Sequence, residues 1–131
     1  LGKKDLQQLF LIQKHIDKKK INSKVISCNT IRNKNGLPHS SRNKNLTLKE
    51  IILASRVIKL IRNEKKRIKK EKKITLNFKN VKANIMKIGV KKIDYVEVLN
   101  IKDLSKLKNI NQKFNIFIAF YVGKTRLIDN L

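Results

Sequence analysis

Two polar segments in the first third of the chain contain the residue types that bind phosphate. The first is Gly2-Lys3-Lys4-Asp5, which lies just before a helical pattern. A glycine lets a ligand approach the backbone, free amides at the start of a helix bind anions, and a lysine supplies a point charge for a phosphate. An aspartate there can hold Mg²⁺ or a ribose hydroxyl. Taken alone, this segment is explained more simply as an ordinary capped surface helix.

The second segment is His39-Ser40-Ser41-Arg42, which follows a Gly-Leu-Pro turn in a polar loop. Two hydroxyls can donate to the non-bridging oxygens of a polyphosphate, and a guanidinium can bind a phosphate with two parallel hydrogen bonds. Taken alone, this segment is explained more simply as a polar turn that caps the next helix. Neither segment is decisive by itself.

The formal net charge of +24 indicates a nucleic-acid or anionic-membrane partner at first sight. However, RNA-binding surfaces favour arginine and aromatic residues, whereas here lysine greatly outnumbers arginine and aromatic residues make up 5% of the chain. Lysine, isoleucine and asparagine are abundant together, and all three have A/T-rich codons. Compositional drift is therefore the favoured explanation, and a basic nucleic-acid-binding module remains the alternative.

The single cysteine, Cys28, cannot form an internal disulfide, and no Cys/His cluster has zinc-site spacing. We expect Cys28 to be a small buried core residue in a reducing compartment and His15 to be a surface residue. No apolar run is long enough to span a bilayer. The chain opens at Leu1 without a methionine, so we expect upstream residues to be missing and draw nothing from the lack of a targeting segment.

The pattern over residues 1–45 predicts the end of a parallel α/β sheet. A helix runs from Asp5, its N-cap, to about Lys20, with one face buried. A short buried strand, Lys24–Cys28, follows it directly. Residues 30–46 form a polar loop without periodicity, and we place a domain boundary at its end.

The pattern over residues 46–131 predicts a small α+β domain with antiparallel strands. Thr47 and Glu50 have capping-box spacing, so a helix begins there and runs to about Lys70, with the charged run Arg62–Lys73 as its solvated end. The remaining predicted elements are a helix over Phe78–Ile88 ended by Gly89, a strand over Ile93–Leu99, a central strand over Ile116–Val122, and a partner strand over Thr125–Ile128 after a Gly123-Lys124 turn.

Four blocks of the sequence, in this order, resemble the pantothenate synthetase family. They are GKKDLQQL at residues 2–9, RNKNGLPHSSRN at 32–43, IDYVEV at 93–98 and GKTRLIDN at 123–130. The chain departs from the family pattern at three points. His39 replaces an apolar residue, Asn35 replaces an acidic one, and Ser27-Cys28-Asn29 replaces a Gly-Val-Pro strand end.

The resemblance implies a fold, an activity and a set of site residues. The fold is the end of a Rossmann-like nucleotide-binding domain, residues 1–45, followed by the small α+β C-terminal domain, residues 46–131. The activity is ATP-dependent ligation of pantoate to β-alanine through a pantoyl adenylate, with Mg²⁺ assisting and no metal-ligating side chains assigned. The implied ATP-binding residues are Gly2, Lys3, Lys4, Asp5, Ile31, His39, Ser40, Ser41 and Arg42, of which Lys4, Ser40, Ser41 and Arg42 are catalytic; Gln8 binds pantoate.

The resemblance also implies cytoplasmic location, small-molecule substrates, no specific nucleic acid, no membrane partner and a homodimer of the full-length protein. Because the family's first sheet half and its ATP-contacting histidine motif lie upstream, we expect the 131 residues alone not to turn over. The geometric requirement is clear: Lys4 and Arg42 must face one cleft.

Overall fold

A computed structural model of the chain describes residues 1–72 and 77–131. The described helices all precede the three strands along the chain. They are a 3₁₀ turn at Lys3–Asp5, α1 at Leu6–Lys19, a second 3₁₀ turn at Ser41–Asn45, α2 at Leu48–Glu71, α3 at Phe78–Lys87, β1 at Lys92–Asn100, β2 at Phe114–Val122 and β3 at Thr125–Asn130.

The sheet is antiparallel with the order β1-β2-β3, so β2 is central. Seven of the nine residues of β2 are buried, as expected for a strand covered by neighbours on both sides. Val96 pairs with Ile118, Phe120 pairs with Leu127, and the β1 register shifts near Asp94. The three strands predicted within residues 93–128 and the central position of Ile116–Val122 are confirmed.

Helix α2 begins at the predicted capping box. The Thr47 amide donates to Glu50 Oε2 at 2.8 Å, and the Glu50 amide donates to Thr47 Oγ1 at 3.3 Å. The hydrogen bonds that the Thr47 amide and the Thr47 hydroxyl donate to Glu50 Oε2 lower the pKa of the Glu50 carboxyl. The buried face of α2 packs on the sheet and consists of Ala54, Ser55, Val57, Ile58, Ile61 and Ile68.

The charged end of α2 is solvated only in part over the residues described, because Ile68 is buried and Lys65 is half-buried. Arg67 pairs with Glu64 at 2.8 Å and with Glu71 at 3.1 Å on the helix surface. Such exposed helical pairs contribute only about 0.3–0.5 kcal/mol each. The last residue of the predicted run, Lys73, lies outside the described residues.

Helix α3 ends close to the predicted position, and Gly89 follows it. Gly89 has φ of +115°, and a Cβ there would lie 3.0 Å from Leu53 Cδ1. Both the backbone conformation and the close approach of α2 therefore require a glycine. The Asn77 side chain caps the other end by accepting from the Asn80 amide at 3.1 Å.

Helix α1 differs from the prediction at its start and on its apolar face. Asp5 makes no capping hydrogen bond, because the chain enters α1 through a 3₁₀ turn and the Asp5 carboxylate instead lies 3.5 Å from Lys4 Nζ. None of the α1 residues is fully buried. The predicted buried face is only partly covered, since no other described element packs closely over it.

The predicted strand at Lys24–Cys28 is wrong for the described residues, and so is the predicted burial of Cys28. This segment makes a single parallel bridge between Gly2 and Cys28, in which the Lys3 amide donates to Cys28 O and the Cys28 amide donates to Leu1 O, each at 2.8 Å. Cys28 is exposed. A strand needs a neighbour along its length, and here that neighbour extends over one residue pair only.

The loop at 30–46 is more ordered than predicted. Arg32 and Pro38 form an antiparallel bridge, with the Asn33 amide donating to Leu37 O at 2.9 Å. Leu37 and Pro38 are buried, which attaches this hairpin to the core. No helix in the described part of the chain has the length and apolar character needed to cross a membrane.

Candidate functional site

The lysine segment is attached to the end of β3 by Asn130. The Asn130 side-chain amide donates one hydrogen bond to Lys3 O and one to Lys4 O, each at 2.8 Å. Asn130 is buried, with 7% exposure, and its Oδ1 accepts from Asn115 Nδ2 at 2.7 Å. The buried Asn130 side chain therefore fixes the backbone of the first predicted phosphate-binding segment.

The loop segment is attached to the same strand end by Asp129. The Arg32 guanidinium donates to both carboxylate oxygens, at 2.6 and 3.0 Å, and also to Gly36 O at 3.0 Å. The Asp129 side chain is fully buried. Burial raises the pKa of the Asp129 carboxyl, and the Arg32 guanidinium opposes that shift by stabilising the charged form. This bidentate pair fixes the hairpin that precedes the Ser-Ser-Arg turn.

Short local hydrogen bonds shape the Ser-Ser-Arg turn itself. The Arg42 amide donates to Ser40 Oγ at 3.3 Å, and Asn43 Nδ2 donates to Pro38 O at 2.9 Å. The Ser41 and Arg42 side chains are left exposed to solvent. A turn that is held from within and exposes a hydroxyl and a guanidinium can receive an anion from outside.

Lys4, Ser40 and Arg42 line one cleft. Its other wall is formed by β3 residues that include Arg126, and its floor is apolar, with Pro38 among the lining residues. The enclosed volume is about 10 Å³, which is roughly the space of one water molecule. The structure thus brings Lys4 and Arg42 to the same face, as the sequence requires, on a shallow cleft.

A second cavity of about 180 Å³ lies on the other side of Lys4. Asp5, Gln8, Tyr95 and Asp129 line it together with Lys4. Partial burial raises the pKa of the Tyr95 hydroxyl, with the charge of Arg126 opposing the shift. Lys4 borders both spaces, so Gln8 lies one cavity away from the Arg42 cleft.

The other predicted ATP-binding residues lie around these spaces without lining either cavity. Lys3 Nζ donates to Asn29 Oδ1 at 2.8 Å on the surface. Ile31 and His39 are exposed and are joined by a hydrogen bond from the His39 amide to Ile31 O at 2.9 Å. At Gly2 an added Cβ would meet nothing within 4 Å, so packing does not require a glycine there. The roles of all predicted site residues stay predictions.

Arg126 is a candidate that the sequence reasoning missed. It lines the Arg42 cleft and also a neighbouring open cavity of about 580 Å³ that it shares with Arg42 and Lys124. Its Nε donates to Asp94 Oδ2 at 2.6 Å, which holds the guanidinium across the β1–β3 face. Arg126 belongs to the GKTRLIDN block, so the resemblance marked the segment without indicating a role.

The charge around the cleft suits an anionic ligand. Lys4, Arg42 and Arg126 line the cleft; Lys4 lies 3.5 Å from the Asp5 carboxylate and Arg126 pairs with Asp94, so the positive charge of these two side chains is partly balanced. Within residues 1–72 and 77–131, no group of three or more His, Cys, Asp or Glu side chains could hold a metal ion. The arrangement can position and neutralise a phosphate group.

The fold and this site define an α/β protein with a basic cleft. The model of the pantoate-β-alanine ligase family matches residues 1–131, and the chain belongs to this family. The family resemblance predicted from four sequence blocks is confirmed. Nothing in these comparisons supports the alternative of a nucleic-acid-binding module.

Curated relatives give the same family. The chain is 38% identical over 132 residues to a pantothenate synthetase of Francisella tularensis subsp. mediasiatica (strain FSC147) and 37% identical to that of subsp. novicida (strain U112). In each case 99% of this chain is covered. The chain spans 41% of the length of these curated relatives.

Solved structures extend the similarity to the fold. A pantoate-β-alanine ligase from Francisella tularensis, complexed with beta-gamma ATP and beta-alanine, matches all of this chain at 37% identity with a TM-score of 0.72, over 41% of its own length. Pantothenate synthetase from Thermus thermophilus matches with a TM-score of 0.89 over 48% of its length. At 21% identity, the second likeness concerns the fold alone.

Proposed function

We propose that this chain is the C-terminal part of an ATP-dependent ligase that condenses pantoate with β-alanine to give pantothenate, AMP and pyrophosphate. Family membership supports the ligation, and the Francisella structure with beta-gamma ATP and beta-alanine supports the ligands. The observation that carries the proposal is that Lys4 and Arg42 line one cleft.

The proposed reaction has two steps. A pantoate carboxylate oxygen attacks the α-phosphorus of ATP, the bond to the β-phosphate bridging oxygen breaks, and pyrophosphate leaves. The β-alanine amine then attacks the acyl carbon of pantoyl adenylate, AMP leaves, and the amine gives up a proton. Such a nucleotidyl transfer asks the protein mainly for positioning and for charge neutralisation, so no nucleophilic side chain is needed.

The proposed roles follow from residue chemistry and position. Lys4 and Arg42 neutralise the phosphates across the cleft, and the hydroxyl of Ser40, which lines it, donates to a phosphate oxygen. Ser41 does not line the cleft but is exposed on the same turn, from which its hydroxyl donates to the phosphate oxygens of the incoming ligand. Gln8 binds pantoate from the cavity that it shares with Lys4. The remaining proposed ATP contacts, arranged around the cleft, are Gly2, Lys3, Asp5, Ile31 and His39.

The shallow cleft bears on the rest of the proposed ATP site. Ligand pockets usually enclose roughly 300–1,000 Å³, whereas this cleft encloses about 10 Å³. We therefore propose that residues 1–45 belong to a Rossmann-like domain whose other parts supply the remaining walls of the ATP site. Residues 46–131 form the C-terminal domain in this proposal. From the family resemblance we also propose that the full-length protein is cytoplasmic and forms a homodimer. The single parallel bridge between Gly2 and Cys28 is consistent with a parallel sheet at this place.

Mg²⁺ would enter this site with the nucleotide. Asp5 is the one carboxylate among the proposed ATP-binding residues, and its side chain is partly exposed beside Lys4. Mg²⁺ in such sites retains several waters and is held by one or two carboxylates together with substrate phosphates, which fits a single aspartate. Bound there, Mg²⁺ would neutralise phosphate charge.

The test is nucleotide turnover by the full-length protein that contains this chain. AMP should form from ATP only when pantoate is supplied, and Arg42→Ala should lower kcat/KM by roughly a hundredfold, the scale for losing one transition-state donor. Arg56→Ala removes an exposed arginine from α2, away from the Lys4 cleft, and is the matched control. Pantoate-independent AMP formation, or equal rates for the Arg42 variant and the unchanged protein, would contradict the proposal.

A further inference from the structure

We propose that Asn130 and Asp129, at the end of β3, are positioning residues that set the distance between the two phosphate-binding segments. This inference rests on the proposed function for its kinetic consequence. Each segment is tied to one of these adjacent residues, Lys3-Lys4 to Asn130 and the Arg32 hairpin to Asp129. Neither residue lies among the proposed ATP or pantoate contacts.

A relay of hydrogen bonds fixes which way the Asn130 amide faces. Lys65 Nζ lies 2.6 Å from Asn115 Oδ1, and an ammonium group can only donate, so the oxygen of Asn115 must face Lys65. The NH₂ group of Asn115 then faces Asn130 Oδ1 at 2.7 Å. The NH₂ group of Asn130 is consequently directed at the two backbone carbonyls, where both of its hydrogens are used.

This orientation determines what a substitution does. Two buried donors facing two carbonyls hold the 3₁₀ turn in place while its Lys4 side chain extends towards both cavities. Asn130→Ala removes both donors and leaves the carbonyls without these partners. Asn130→Asp preserves the shape but places acceptor oxygens opposite acceptor oxygens, next to the buried Asp129 carboxylate. Both substitutions remove the hydrogen bonds that hold the 3₁₀ turn, and the carboxylate introduced by Asn130→Asp would in addition repel the Lys3 and Lys4 carbonyl oxygens.

Asp129 performs the corresponding task for the second segment. Its two carboxylate oxygens receive the Arg32 guanidinium, and the same guanidinium donates to Gly36 O in the hairpin. Asp129 Oδ1 also accepts a hydrogen bond from the backbone amide of Asn130 at 2.8 Å, so the two anchoring residues are linked to each other as well. Loss of either anchor would therefore let one segment move relative to the other and change the separation of Lys4 and Arg42.

Asn100 provides a matched control for a purely structural role. It is a buried asparagine at the end of β1 with the same 7% exposure as Asn130, and its Oδ1 accepts only a local hydrogen bond from the Lys102 amide among those described. Loss of its side chain should affect stability without touching either phosphate segment. Equal loss of activity in Asn100→Ala and Asn130→Ala would mean that both act through stability.

The kinetic experiment compares Asn130→Ala, Arg32→Lys and Asn100→Ala in the full-length protein. We expect Asn130→Ala to lower kcat by roughly 10- to 100-fold, the scale of a misplaced reacting group, with a smaller change in KM for β-alanine. Arg32→Lys keeps the charge but loses the two-pronged contact, and it should lower kcat in the same direction. The proposal would be overturned if Asn130→Ala, Arg32→Lys and the control Asn100→Ala all had kcat values within about twofold of the unchanged protein.

A second readout needs no turnover. Hydrogen exchange of the Lys3 and Asp5 amides, which donate to Cys28 O and Gly2 O, should quicken at least roughly tenfold in Asn130→Ala and not in Asn100→Ala. If the unchanged protein makes no pantoate-dependent AMP, the proposed function fails while this exchange still decides the positioning claim. If Asn130→Ala does not fold, Asn130→Ser, which retains one donor, takes its place. Unchanged exchange at both amides would overturn the proposal.

Discussion

The two parts of the chain are held in place by different forces. In residues 46–131, α2 and the sheet bury a shared apolar cluster that includes Ile58, Ile61 and Phe120. In residues 1–45, by contrast, only Leu37 and Pro38 are buried, and the segment is fixed by directional polar contacts to Asp129 and Asn130. Apolar burial stabilises the second part, whereas hydrogen-bond geometry places the first part against it.

This difference suits the proposed function, in which the site binds and releases a large anion. A segment held by a few polar contacts can be placed accurately while its upper surface stays free for a ligand, whereas a fully packed segment would have no open face. The Ser-Ser-Arg turn and the lysine turn both lie on this polar side, with the packed β3 strand beneath them. The packed part serves as the platform and the polar part as the contact surface.

The largest expected effect is a difference in stability loss between the same substitution, Phe to Ala, made in each of the two parts. Phe120→Ala removes a fully buried ring from the core and should lower the free energy of unfolding by about 3–5 kcal/mol. Phe10→Ala removes a partly covered ring on α1, where Lys14 Nζ lies 4.7 Å from the ring centroid, and should cost less than about 1.5 kcal/mol. Urea denaturation of the chain measures both. Equal losses would show that the first part is packed as tightly as the second.

The smallest expected effect is a pH dependence confined to the packed part. Burial lowers the pKa of Lys65 to about 8 from 10.5, and the charge of Lys69 contributes to the same shift. Below pH 8 the amine is charged in both states. Between about pH 8 and 10.5 the folded state releases its proton first, so the unfolded state binds more protons and the free energy of unfolding rises with pH.

Lys65→Met removes this dependence. The stability of the unchanged chain relative to the Lys65 variant should rise from pH 8 to 10.5 and stay constant below pH 8, as measured by urea titrations at several pH values. Lys59→Met, on an exposed position of the same helix, is the control for losing a surface charge. Parallel curves for the unchanged chain and the Lys65 variant would contradict the assignment.

The sequence allowed prediction of the packed part more fully than of the polar part, for a physical reason. A capping box, an apolar strand and a glycine after a helix are local signals, and Thr47, Ile116–Val122 and Gly89 all hold the expected positions. Lys24–Cys28 also contains apolar residues, but a strand requires a partner as well, and that partner is not encoded within the segment itself. Cys28 is exposed because its segment pairs with a neighbour over one residue pair only.

Within the candidate site, the residues could be predicted from the sequence, but the hydrogen bonds that hold them in place could not. Lys4 and Arg42 could be selected because they stand in blocks that resemble the family, and the structure brings them to one cleft. The link from Asn130 to Lys3 O and Lys4 O joins residues separated by 127 and 126 positions, so no local pattern could indicate it. The adjacent polar residues Asp129 and Asn130 at the end of β3 are the signal that could have suggested a supporting role for this strand end.

The most direct measurement is a double-mutant cycle between Lys4 and Arg42 on kcat/KM for ATP in the full-length protein. If both cations grip one triphosphate, Lys4→Ala and Arg42→Ala should be non-additive, and their combined loss should differ from the sum of the single losses by about 0.5–3 kcal/mol. Strictly additive losses, or a Lys4 variant with unchanged turnover, would contradict the account, because the two side chains would then serve separate places.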